Sequence, residues 1–227
     1  MNHFRGYLFI GLLTCFSAKA NLITNGSFES PVAPAGSFDN FGSGSTGISG
    51  WTVVGPEVSV VSGTYFSECC SFPAESGSQW LDLTGDVSNT VEGVQQTVAT
   101  TPGTEYDLTF WVGNIYDPDG VYGTTSTVDL RLGGIDGTLL GAFTNSSTTT
   151  GTQTWEEFTT SFTATSTSTT LDFLNGDPSN DNSNGLDNIT LTAVGTSAIP
   201  EPATLPLLAI GIASAGILRR RALGAKR

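Results

Sequence analysis

Few side chains able to do covalent or acid–base chemistry occur in this sequence, and their placement narrows the chemistry further. The single histidine is His3, inside an N-terminal stretch that reads as a leader, and residues 21–197 hold no histidine and no lysine. Ser–His–Asp and Cys–His nucleophiles, histidine-ligated zinc and Schiff-base lysines are therefore excluded from that body. Carboxylates remain. Glu156 and Glu157 are adjacent, and neighbours on a strand face opposite sides. They do not converge as the two carboxyls of a glycosidase must, about 5–10 Å apart across a cleft. Asp117 and Asp119 flank Pro118 in a turn. The Asp/Asn-rich segment 177–185 has neither the Glu at its twelfth position nor the flanking helices of an EF-hand. No catalytic set is expected, and a hydrolase is the least favoured of three functional readings.

Aromatic side chains offer a different chemistry, that of binding. Leu81 and Leu83 share one parity, so Trp80 and Asp82 point to the opposite face of their strand. Tyr106, Leu108, Phe110 and Val112 form an apolar register that turns Trp111 outward with Asp107 and Thr109, and Val94 and Val98 do the same for Gln95 and Thr97. If these strands share a sheet, one face shows Trp80 and Trp111 among Asp82 and Gln95. Flat rings stack on the CH faces of a sugar while short polar groups bond its hydroxyls. Asn114, Tyr116, Asp117, Asp119 and Tyr122, in the loop that follows, would rim or lid such a site. The alternative is that this loop covers the face and buries both tryptophans. Trp155 opens a strand as core or edge. The adjacent Cys69 and Cys70 leave three states open: a vicinal disulfide, pairing between chains, or free thiols.

The elements that must position these residues are strands. Alternating runs bounded by Gly, Pro, Asn and Asp recur at 51–54, 58–61, 79–83, 91–98, 106–112, 126–132, 138–143, 158–163, 169–174 and 188–194. No helical period competes between residues 21 and 197. Residues 144–170 carry 18 Ser or Thr, with Trp155, Phe158 and Phe162 at strand-like spacing, which predicts a loop followed by a Thr-rich strand. Eight to ten short strands predict an all-β sandwich of jelly-roll type around a single core.

Charge excludes one large class of partner. The formal net charge is −13. Residues 21–197 hold 20 acidic side chains and one basic one, Arg131, for a net −19. Such a body repels phosphate backbones, so no nucleic-acid partner is expected.

Both termini read as addresses. Arg5, the apolar run Tyr7–Phe16 and Ala18-Lys19-Ala20 form a signal peptide over residues 1–20, with cleavage expected after Ala20. At the other end, Ile199-Pro200-Glu201-Pro202-Ala203-Thr204 precedes an uncharged run, Leu205–Leu218, and then Arg219-Arg220-Arg221. Fourteen helical residues span about 21 Å, short of a ~30 Å hydrocarbon core. The three parts together resemble the PEP-CTERM sorting signal of exopolysaccharide-producing Gram-negative bacteria. That resemblance implies recognition of Pro200, Glu201 and Pro202 by an exosortase. It also implies transient anchoring in the inner membrane by a short apolar helix, with the Arg triplet on the cytoplasmic side. The destination would be the cell surface or the extracellular matrix. Pro206 departs from a continuous apolar helix and weakens a permanent-anchor reading.

The body carries a second resemblance. NLITNGSFE at 21–29, ISGWTV at 48–53, GSQWLDL at 77–83, TPGTEYDLTF at 101–110 and GLDNITL at 185–191 are, in this order, similar to the choice-of-anchor C group and a related plant cell-wall domain. These belong to the galactose-binding-like sandwiches that include many carbohydrate-binding modules. The resemblance implies a core Trp51 and a closing strand beside the opening segment. It further implies a structural calcium ion on Glu29 and Asp187 with backbone oxygens. The alternative is that Glu29 accepts turn hydrogen bonds and Asp187 caps a strand entry.

The resulting organisation is a signal peptide (1–20), a β-sandwich (21–194), a linker (195–198) and a sorting segment (199–227). The leading functional expectation is non-catalytic binding of exopolysaccharide or cell-wall glycan. The second is a structural surface or matrix protein without a specific ligand.

Overall fold

The computed structural model describes residues 19–67, 69–86, 90–177 and 182–195. Within them the regular elements are thirteen strands: β1 (Phe38–Gly42), β2 (Thr52–Val54), β3 (Glu57–Ser62), β4 (Phe66–Ser67), β5 (Cys70–Ser71), β6 (Gln79–Asp82), β7 (Gly93–Ala99), β8 (Glu105–Asn114), β9 (Ser126–Leu132), β10 (Thr138–Asn145), β11 (Thr154–Thr163), β12 (Ser168–Asn175) and β13 (Gly185–Ala193). All ten strands expected from the alternation are present, β9 with the expected bounds. β1, β4 and β5 are additional. Their sequences, FDNFG, FS and CS, are too short or too mixed to alternate.

The strands form two antiparallel sheets. One has six strands in the order β1-β3-β6-β13-β8-β11, the other five in the order β10-β9-β12-β7-β2, and β4 pairs with β5 as a separate hairpin. The sheets pack face to face through side chains of one parity. Val58, Val60, Leu81, Leu108, Phe110, Val112 and Leu186 come from the six-stranded sheet, with Leu83 just beyond the end of β6, and Val53, Val94, Val98, Val128, Leu130, Leu171 and Phe173 from the other. Phe110 meets Phe173 edge-on at 5.3 Å across the interface. Each fully buried side chain of this size contributes about 1.5–3 kcal/mol. Trp51 lies in this core, as expected, between Phe28 and Phe173.

The opening segment does lie along β13. Leu22 N–H donates to Leu191 O, and Ile189 N–H to Gly26 O, each at 2.9 Å. The Thr-rich stretch divides as expected into a loop and a strand, β11, which forms one edge of the six-stranded sheet.

The sorting segment lies outside the described residues, as does the predicted signal peptide except for Lys19 and Ala20. Among the described residues no helix is long and apolar enough to cross a membrane.

Candidate functional site

A second, smaller apolar cluster sits on the outer face of the six-stranded sheet. Period-two alternation makes it possible: on β3 and β6 the residues between the core positions, Ser59, Val61, Trp80 and Asp82, point away from the sandwich. Ser59 stands in register with Asp82, and Val61 with Trp80. Val61, Trp80, Cys70, Phe72 and Ile115 are buried there, with Phe38, Tyr65, Tyr122 and Trp155 packed around them. Beside this cluster opens a groove of about 520 Å³, lined by Phe38, Tyr65, Phe72, Trp80 and Tyr122 together with Ser59, Asp82, Thr84, Asp86 and Asn182.

Trp80 is only 1% exposed. Phe72 stacks on it at 6.2 Å, with rings 12° apart, and Trp155 meets it edge-on at 5.9 Å. Trp155 reaches across from the edge strand over Gly113 and Gly185. A Cβ on those glycines would lie 2.8 and 3.0 Å from the indole, so only glycine leaves the ring room to cross. The two indole N–H groups donate to consecutive carbonyls, Trp80 to Phe72 O at 3.1 Å and Trp155 to Pro73 O at 2.9 Å. These bonds hold the 72–73 segment down as a groove wall. The hairpin β4–β5 continues that wall, and a disulfide joins the neighbouring Cys69 and Cys70 at its turn. Of the three states open from sequence, the structure has the vicinal one.

Asp82 divides its two oxygens. Oδ1 accepts Thr84 N–H at 3.0 Å, Thr84 Oγ1–H at 2.8 Å and Asn184 N–H at 3.1 Å. Among the described residues no donor reaches Oδ2, and the side chain lines the groove. Loss of hydration raises its pKa to about 6, against the hydrogen bonds from Thr84 and Asn184 and with help from the charge of Glu92.

The structure places three of the seven expected ligand contacts, Trp80, Asp82 and Tyr122, in this groove. The other four belong elsewhere. Gln95 faces outward as its parity requires, but β7 belongs to the five-stranded sheet, so Gln95 lies on the opposite side of the sandwich. Trp111 shares the outer face of the six-stranded sheet, half-buried and in register with Asp187 and Glu157, but does not line the groove. Asn114 is fully buried. It ties the loops together by donating to Thr124 O at 3.4 Å and Ser147 O at 2.9 Å. Tyr116 is half-buried outside the groove lining. Sequence reasoning missed Phe38, Ser59, Tyr65 and Phe72. The Ser59/Val61 parity against Val58/Val60 would have found Ser59. Nothing local announces that 65–72 folds back over β6.

Glu29 and Asp187 act as acceptors for one loop. Glu29 Oε1 takes Ser78 N–H at 2.8 Å and Gln79 N–H at 3.1 Å, while Asp187 Oδ2 takes Glu75 and Ser76 N–H, both at 3.0 Å. Asp187 Oδ1 takes its neighbour Asn188 N–H at 2.7 Å. Burial raises the Asp187 pKa to about 7 against these bonds, and nearby Glu75 adds to the rise. A calcium ion needs six to eight oxygens turned toward it. Here amide donors take both oxygens of Asp187 and one oxygen of Glu29. Among the described residues no group of three or more His, Cys, Asp or Glu is placed to hold a metal ion.

A family model described as HpiC1 cyclase matches residues 19–192. The chain belongs to this HpiC1-like family. The HpiC1-like domain covers the span over which the opening and closing motifs resemble choice-of-anchor C proteins, and the family matched is the HpiC1-like one. Residues 198–222 match the PEP-CTERM protein-sorting motif, which marks the chain for export, exosortase processing and membrane-anchored sorting to the cell surface. Solved structures similar to the HpiC1-like domain include a xylan-binding domain from CBM 22, at 17% identity and TM-score 0.48, with 78% of this chain and 97% of that one covered. A CBM22-1 xylan-binding domain from Paenibacillus barcinonensis Xyn10C has 18% identity and TM-score 0.43, covering 73% of this chain and 100% of that one. An arabinose-bound α-L-arabinofuranosidase has 12% identity and TM-score 0.49, covering 77% of this chain and 26% of the enzyme. No curated protein matches the chain in sequence.

Proposed function

We propose that this is a signal-peptide-exported, exosortase-sorted surface protein of a Gram-negative bacterium whose sandwich binds carbohydrate without cleaving it. One observation carries the reading: a groove of about 520 Å³ in which aromatic rings stand beside a carboxylate and hydroxyls. Its size suits a few sugar units, its part-exposed rings, Phe38, Tyr65 and Tyr122, suit their CH faces, and Ser59, Asp82, Thr84 and Asn182 suit their hydroxyls. The natural ligand is then exopolysaccharide or cell-wall glycan at the site of sorting. Structural calcium on Glu29 and Asp187 is a separate proposal. The amide donors on both carboxylates weigh against it, and the buried, unbonded Oε2 of Glu75 near Asp187 favours it.

The test is a glycan array and native-exopolysaccharide pull-down with the full chain, with Tyr122→Ala and Trp80→Phe as variants. Retention by wild type and loss in Tyr122→Ala support the reading. Silence from a folded sample removes it and favours a structural coat protein.

A second reading is favoured by Asp82 itself. A carboxyl with pKa about 6 against aromatic walls is suited to donate or accept a proton at neutral pH, and the family description names a cyclase. Turnover that disappears in Asp82→Asn while binding persists would establish an enzyme; binding without any turnover supports the non-catalytic module.

A further inference from the structure

The groove is acidic as well as aromatic. Asp82 and Asp86 line it, and no basic side chain does. Among the described residues the only cations are Lys19 and Arg131. Lys19 lies 4.0 Å from Asp107, on β8, and Arg131 donates to Gly137 O at 3.1 Å on the five-stranded sheet. Neither is available to Asp82. Its Oδ1 is saturated by three internal donors, Oδ2 receives none among the described residues, and the side chain lines the groove. The nearby buried Glu92 adds negative potential. A carboxylate withdrawn from water with no counter-charge is costly, and a cation brought by the ligand removes that cost. Aromatic faces around it attract the same cation. An acidic glycan would meet the reverse: Asp82, Asp86 and the strongly negative body all repel it.

We infer that the groove selects an amine-bearing ligand, its ammonium seated at Asp82 in a groove whose part-exposed rings are Phe38, Tyr65 and Tyr122, and that acidic polysaccharides are excluded. This rests on the glycan reading above only for the sugar scaffold, while the charge preference stands on the groove itself.

The experiment is calorimetric titration of the full chain in mild detergent at pH 7 with four probes. These are a glucosamine oligomer, its N-acetylated counterpart, an oligogalacturonate and benzylammonium. The expected result is that the glucosamine oligomer binds at least about tenfold tighter than the N-acetylated one. The oligogalacturonate should not bind. Asp82→Asn keeps an oxygen for Thr84 and Asn184 and turns an amide toward the groove, so the fold is retained and the preference for the amine should vanish. Equal or tighter binding of the N-acetylated oligomer overturns the inference and leaves the glycan reading standing. Binding of benzylammonium but of no oligosaccharide, lost in Asp82→Asn, removes the glycan reading and keeps the charge preference. No binding of either amine probe overturns the inference, as does a preference unchanged in Asp82→Asn.

Discussion

Trp80 and Trp155 stand edge-to-face at 5.9 Å and donate their indole N–H groups to neighbouring carbonyls, those of Phe72 and Pro73. One tryptophan comes from an inner strand and the other from the edge strand of the same sheet. Together they hold down the 72–73 segment, of which Phe72 lines the groove beside Trp80.

Removing either ring should expose that dependence. Trp80→Ala is expected to cost ~3–5 kcal/mol in stability, since it opens a cavity and frees a buried carbonyl. Trp155→Phe keeps most of the packing but loses one hydrogen bond, so a cost of about 1 kcal/mol is expected. Urea unfolding at fixed pH measures both. A Trp80→Ala protein as stable as wild type would mean that the outer cluster is not a packed unit.

Stability should depend on pH in a direction opposite to that of an ordinary acidic protein. Asp82 and Asp187 are raised from 3.8 to about 6 and about 7, and Asp172 moves up as well, chiefly through burial. Between the unfolded and folded values the native chain holds protons that the unfolded chain has released. These three groups therefore lower stability as pH rises from about 4 to 7. For Asp82 alone the loss is on the order of 3 kcal/mol. Melting temperatures of wild type and Asp82→Asn across pH 4–8 should diverge, with the variant falling less. Parallel curves would show that Asp82 titrates normally.

The loop 75–79 hangs on Glu29 and Asp187. Asp187→Ala strands the amides of Glu75 and Ser76 and should cost ~2–4 kcal/mol. If calcium sits on Glu29 and Asp187 as proposed, adding millimolar calcium raises the melting temperature and a chelator lowers it by several degrees. An unchanged melting temperature with both removes that proposal.

Cys69 and Cys70 should resist alkylation until reduced and then take two labels, without intermolecular dimers on a non-reducing gel. Labelling before reduction would mean that the thiols are free in the isolated chain.

Much of this was legible locally. Alternation fixes which way a side chain points, because the strand period is two wherever the strand goes, so the outward parity of Trp80, Asp82, Trp111 and Gln95 was readable from Leu81, Phe110 and Val94. Resemblance to known sequences, not parity, implied Trp51 in the core, the opening segment beside β13, and the sorting tail, which an enzyme reads as sequence. Parity does not say which sheet a strand joins. That is decided by long-range backbone pairing, and it sent Gln95 to the far side of the sandwich while keeping Trp111 on the near one. Nor could local pattern show that Trp155 crosses Gly113 and Gly185, or that the hairpin with Tyr65 and Phe72 folds back over β6. Those contacts join residues 8 to 82 positions apart, and only the packed sheet, with its two glycines leaving space for a ring, decided where the groove would be.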